Sequence, residues 1–218
     1  MAAPEATRYR ITFSKTEAMR FTGHLDLHRA WERTFRRADL PLAYSQGFSP
    51  HPRIQLAAAL PLGMLGEAEL LDVWLEQAID PGELLDRARR AAPPGIGVVD
   101  VQLADLKEAN LQQRVQAALF EATPGEKISP VELAARIAQL VSQESIERQR
   151  RGKTYDLRPL ILAIEAGGDP VSAPSMRMTL TAREGATGRP EEVLAVLGLD
   201  PVEARITRRR LLLSPSAC

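Results

Sequence analysis

The hydrophobic periodicity of this chain runs twice through one order, strand, helix, two strands, helix, strand, and that repetition restricts the fold more than any single motif does. In the first half residues 9–14 alternate as a strand does, and Thr22 or Gly23 caps a helix running to about Ala38. Residues 42–53, broken by Gly47, Pro50 and Pro52, read as a loop or irregular hairpin. Strands follow over 54–58 and 68–76, where Leu71, Val73 and Leu75 share a face. Asp80 with Pro81 opens a second helix over 82–92, which Pro93, Pro94 and Gly95 end before a strand over 96–103. The second half offers a strand at 113–122 and a helix from Ser129 and Pro130 that carries Leu133, Ile137 and Leu140. An extended stretch at 145–151 comes next, then strands at 160–166 and 176–183, a short helix after Arg189 and Pro190, and a last strand over 204–213. This is the split β-α-β order of ferredoxin-like folds, so the expectation is an α+β protein of two tandem ferredoxin-like units, 1–106 and 107–218, with a linker near 105–110.

A hydrophobic content of 44% over 218 residues supports ordinary cores. The longest apolar stretch, around 57–65, is short and interrupted by Pro61 and Gly63, so a cytoplasmic protein without membrane contact is expected. The single cysteine, Cys218, excludes an internal disulfide, a thiolate zinc site and a three-cysteine iron–sulfur cluster within the chain. Basic and acidic residues balance at 28 each, yet bases cluster at 29–37, 148–153 and 205–210 while acids gather between Glu67 and Asp86. Zero net charge is therefore compatible with one basic face. Nearly all the bases are arginine, which suits phosphate and stacked bases but is also what a GC-biased genome produces.

All three histidines, His24, His28 and His51, fall in one polar window. On a helix over 24–38 the residues Leu27, Trp31, Phe35 and Ala38 form one stripe, and Arg29, Arg33 and Arg37 recur every four residues on the opposite side. Two readings of that ridge stay open, a solvated face tempered by Asp26 and Glu32 or a track for phosphates. His24 and His28 stand four apart, as helical metal ligands do, but without an intervening glutamate or an assured third ligand, so no metal is expected. The loop that follows sets Tyr44, Ser45, Gln46, Ser49, His51 and Arg53 among prolines and a glycine, a density more typical of binding sites than of scaffolding. In the second half Arg148, Arg150, Arg151 and Lys153 end in a glycine turn beside Tyr155 and Arg158. They read either as a charged hairpin tip or as a phosphate grip with a stacking face and a bidentate fork.

The runs MRFTGHLDLHRAWERTFRRADLPLAYSQGFSPHPRI and LAAALPLGMLGEAELLDVWL, with the later KTYDLRPLI, resemble the radical SAM-associated, or radical SAM-linked, protein family of unknown function in its stand-alone form. The resemblance extends over most of the chain. It implies an accessory role beside a separate radical SAM protein, in RNA or ribosome modification, and no cofactor on this chain itself. The partner would carry the iron–sulfur cluster and S-adenosylmethionine, because the chain has no Cys-x-x-x-Cys-x-x-Cys motif. The combined expectation is a non-catalytic protein that binds transfer or ribosomal RNA through the polar loop and the basic segment. Two alternatives remain at this stage: a subunit that docks to the radical SAM enzyme without touching RNA, and a metal-independent endoribonuclease using His28 and His51.

Overall fold

Alternation along β1 (Thr7–Lys15) sends Tyr9, Ile11 and Phe13 into a core and Arg8 and Arg10 to the opposite face. The computed structural model describes residues 6–167 and 174–215, and Cys218 lies outside them, as do the extreme ends of the two expected units. The chain divides into two compact units, Met1–Arg114 with Ser214–Cys218, and Val115–Leu213.

In unit 1, β1 is followed by α1 (His24–Arg37), β2 (Ile54–Leu56), β3 (Leu65–Leu75), α2 (Pro81–Ala91), β4 (Ile96–Ala104) and a single turn, α3 (Leu111–Arg114). The strands stand in the order β4-β1-β3-β2, every pairing antiparallel. β1 and β2 are therefore parallel with β3 inserted between them, and β3 and β4 are parallel across β1. Leu27, Trp31 and Phe35 on α1 and Leu84 and Ala88 on α2 close over Tyr9, Ile11, Phe13, Leu71 and Val73. Trp31 meets Phe13 edge-on with ring centroids 5.0 Å apart and Phe35 at 5.1 Å. Tyr9 donates its hydroxyl to the Ile79 carbonyl and accepts from the Ile79 N–H, both at 2.7 Å, so its one polar atom is satisfied beside the core.

The other face of β1 and β3 holds charge. Asp72, fully buried, accepts from Arg8 Nε at 2.9 Å and Arg10 Nε at 2.9 Å. The Arg8 guanidinium also donates to the carbonyls of Asp105, Glu108 and Ala109, while Glu108 pairs with Arg10 at 3.0 Å and with Arg114. The stretch 105–110, expected to link the halves, is thus fastened to unit 1, and the division falls between Arg114 and Val115.

Unit 2 contains β5 (Val115–Thr123), α4 (Pro130–Val141), β6 (Glu147–Arg150), β7 (Lys153–Asp156), β8 (Ile161–Gly167), β9 (Ser175–Arg183), β10 (Ala186–Thr187), α5 (Pro190–Val196) and β11 (Arg205–Leu213). Its strands run β11-β5-β9-β8, again antiparallel throughout, with β10 turning back on β9. Leu133, Ile137 and Leu140 of α4 and Val193 and Leu194 of α5 are buried, as are Phe120, Met176, Met178, Leu180 and Ile206 on the strands. The extended stretch expected over 145–151 becomes one arm of a separate two-stranded hairpin, β6-β7, inserted between α4 and β8. The molecule is a mixed α+β protein with antiparallel sheets and five α-helices among the described residues.

Candidate functional site

The β6-β7 register pairs Arg148 with Tyr155 and Arg150 with Lys153. Because side chains alternate across a strand and opposed residues share a face, those four project from one side of the hairpin. Arg151 and Gly152 form its two-residue turn with φ of 48° and 75°, the geometry of a type I′ turn, which matches the twist of the strands but ordinarily takes Asn, Asp or Gly at the first position. Arg150, Arg151, Lys153 and Tyr155 face a cleft of about 600 Å³. Asp156, Leu160, residues 185–187 and Arg189, the residue before α5, complete its lining.

The charges around this cleft are unevenly matched. Arg148 turns both Nε and Nη2 onto Glu192 Oε2 at 2.7 Å, tying the hairpin to α5. Among the described residues the one ion-pair partner of Arg189 is Glu191, distant at 3.8 Å. Among the described residues no carboxylate lies within ion-pair distance of Arg150, Arg151 or Lys153. Asp156, although it lines the cleft, has Oδ1 occupied by the N–H groups of Ile146 at 2.8 Å and Arg158 at 2.9 Å, and these bonds hold its carboxyl below the ordinary range. Burial pushes the Glu191 carboxyl up, and burial followed by the Glu192 charge raises the Tyr155 hydroxyl. Arg158, expected as a bidentate fork, instead donates to the carbonyls of Ile161 at 3.2 Å and Val141 at 3.3 Å, linking the end of α4 to β8.

The remaining candidates lie in unit 1. Arg29 and Arg33 are exposed on α1, with Arg29 at 3.4 Å from Asp26, whereas Arg37, also exposed, donates to the Ala91 carbonyl at 2.9 Å. His24 is half-buried as the first residue of α1. His28 sets Nε2 3.2 Å from the Ile54 carbonyl and Nδ1 3.4 Å from Glu32, so both ring nitrogens face acceptors of the scaffold. Tyr44, Ser45, Gln46, Ser49 and His51 are exposed on a loop whose base is laddered: Ser45 N–H donates to the His51 carbonyl, His51 N–H to Ser45 Oγ and Arg53 N–H to the Ala43 carbonyl. Arg53 stacks 4.7 Å from the Trp74 ring centroid, with Arg8 at 5.1 Å from the same ring. Phe48, at the loop tip, is fully exposed. No three His, Cys, Asp or Glu side chains gather as a metal site among the described residues.

The fold thus collects Arg150, Arg151, Lys153 and Tyr155 in one place and gives Arg148 and Arg158 to scaffolding bonds. Sequence reasoning missed Leu160, Thr187 and Arg189 as lining and Glu192 as a partner. Arg189 was legible as a helix entry through the following Pro190, but nothing local points it toward a hairpin some 40 residues earlier, the span that also separates Arg148 from Glu192.

No curated protein matches the chain. A chain in the crystal structure of a Cbf5-Nop10-Gar1 complex aligns with 93% of this one at 10% identity and a TM-score of 0.47, and this chain spans 48% of that one. A family profile matches residues 8–190, which include the polar loop, the basic hairpin and every cleft residue named above; the chain belongs to the family described as uncharacterized protein conserved in bacteria (DUF2344).

Proposed function

We propose that this protein is a non-catalytic accessory factor that binds RNA, transfer or ribosomal, through the basic cleft of unit 2 and works with a separate radical SAM enzyme in RNA or ribosome modification. The observation that carries the RNA half is the convergence of Arg150, Arg151, Lys153 and Arg189 on one cleft, three of them without an ion-pair partner among the described residues. Cations that are left unneutralised repel one another, and a polyanion relieves that cost while releasing its own counterions. The partner half is supported by the motif resemblance, and on this reading the iron–sulfur cluster and S-adenosylmethionine reside in the partner. The strand orders β4-β1-β3-β2 and β11-β5-β9-β8, each with its two split β-α-β crossovers, support reading both units as ferredoxin-like.

Filter binding with transfer or ribosomal RNA tests the first half. The full chain should bind more tightly than a neutral control protein, and Arg150→Gln, Arg151→Gln and Lys153→Gln together should weaken binding by about tenfold or more. Equal binding by chain and control overturns the reading. Co-purification with the radical SAM protein after nuclease treatment tests the second half.

A second reading, docking to that enzyme without RNA contact, is favoured by the exposed apolar side chains Phe21, Leu25 and Leu62, which fall inside the two runs that carry the family resemblance. The scaffold contacts of His28 leave the endoribonuclease alternative with His51 alone as its acid–base group.

A further inference from the structure

We infer that the unit 2 cleft takes a single unpaired nucleotide, with its base against the Tyr155 ring and its flanking phosphates on Arg150, Arg151, Lys153 and Arg189. This rests on the reading that the cleft binds RNA, and adds which form of RNA it selects.

Size and lining both bear on the choice. The cleft is open to solvent, and its volume of about 600 Å³ is on the scale of one small ligand. An A-form helix would reach only the rim, since its bases are paired and stacked inside. A polyanion site with no base recognition needs cations alone, yet Tyr155, Leu160, Ala186 and Thr187 also line this cleft and add an aromatic ring, aliphatic surface and a hydroxyl. Aromatic faces flanked by cations are how single strands are held without a sequence code.

The hairpin is also built to hold this arrangement before any ligand arrives. The Arg148–Glu192 pair fixes the arm that carries Arg150, and the cross-strand pairing sets Lys153 and Tyr155 on the same face. Arg151 stands at φ 48°, a conformation costly for a residue with a Cβ, at the turn that borders the cleft. Strain of this kind concentrates at ligand clamps. Here it places a third guanidinium where Asn or Gly would make the better turn.

Fluorescence anisotropy on the full chain, using three labelled probes of equal length, tests the inference: an unstructured oligoribonucleotide, its abasic counterpart and a blunt RNA duplex. The single strand should bind about tenfold more tightly than the abasic probe, the difference one stacked base confers. Tyr155→Leu should erase that preference, and Tyr155→Phe, with its ring retained, should keep it. Because the single-strand to abasic ratio is internal to each variant, a partial loss of folded protein does not mimic the effect. Equal affinity for strand and abasic probe, preference for the duplex, or a ratio unchanged by Tyr155→Leu overturns the inference. If the Arg150, Arg151 and Lys153 triple substitution still weakens all three probes in those cases, RNA binding at the cleft stands. If that triple substitution changes nothing, the RNA reading falls with it.

Discussion

Arg151, which lines the cleft, and Glu191, 3.8 Å from the cleft residue Arg189, each carry a conformational or electrostatic cost that can be measured apart from binding. Arg151→Gly removes the Cβ from a position at φ 48°, so the variant should be as stable as the parent or more stable, by up to about 1 kcal/mol in urea unfolding, while binding RNA less tightly. A variant that loses stability and binding together would mean the side chain serves the hairpin, not a ligand. Glu191 is a buried-side carboxylate with its pKa raised, mainly by desolvation, and its Oε2 has no hydrogen-bond partner among the described residues. Its folded pKa exceeds the unfolded one, so the native state holds the proton more tightly: the penalty of the charged form is present above the raised pKa and disappears below the ordinary carboxylate range. Glu191→Gln should therefore raise stability at neutral pH, and the gap from the parent should close as pH falls through that window. The same change removes a negative charge that acts on Arg150 and should tighten RNA binding modestly. The residues of the hairpin were legible as a basic, aromatic cluster because they are local in sequence. That Arg148 is turned to Glu192 was not, because the pairing depends on how α5 packs beside the hairpin.

The elements themselves carry most of what the sequence makes readable. Asp80 accepts from the N–H groups of Gly82 and Glu83, and Ser129 from that of Glu132, so two helix starts were fixed by short polar side chains followed by proline. The helix ends were legible as well, α1 at about Ala38 against Arg37 and α2 at Ala92 against Ala91, but the arginines from other helices that hold those ends were not. Arg37 at the end of α1 donates to the Ala91 carbonyl at the end of α2, and Arg87 of α2 donates back to the carbonyls of Ala38 and Asp39. In unit 2, Arg136 of α4 donates likewise to the Leu197 carbonyl at the end of α5, at 2.8 Å. Both α1 and α5 finish with a left-handed residue, Asp39 at φ 51° and Gly198 at φ 71°, each followed by the backbone bond from Leu40 to Phe35 or Leu199 to Leu194 that closes a Schellman turn. An arginine that neutralises the carbonyl end of a neighbouring helix satisfies orphan acceptors and complements the dipole at once. Arg87→Met, which keeps much of the stem, should lower stability by roughly 1.5–3 kcal/mol, the scale of charge-assisted hydrogen bonds. Thermal or urea unfolding reads it, and an unchanged midpoint would show that water replaces the guanidinium without cost. On this account Arg37 belongs partly to the scaffold, and among the described residues Arg29 and Arg33 are the members of the expected ridge that make no bond to another helix.

At the scale of the whole molecule, the repeated order of elements was open to reading because it rests on periodicity and turn residues, which are local. The strand orders within each unit, the charged face of β1 and β3 and the basic cleft were not, because each depends on residues far apart in sequence, as with Arg8 and Asp72 at a separation of 64. A chain of net charge zero has no overall attraction for a polyanion, so whatever affinity it has must come from local clusters. That makes the salt dependence a count of the cations engaged. With Arg150, Arg151, Lys153 and Arg189 sharing the two phosphates that flank the bound nucleotide, the slope of log K against log salt should be on the order of −1.4, about −0.7 for each phosphate neutralised. Arg151→Gln with Lys153→Gln should then make it shallower, by up to roughly 0.7 for each phosphate released. A near-zero slope, or one that these substitutions leave unchanged, would remove the cleft from the interface. A steeper slope that falls on Arg29→Gln and Arg33→Gln would add the α1 ridge as a second phosphate track, because only residues that displace counterions alter the slope, whereas those that merely hold the fold alter its intercept.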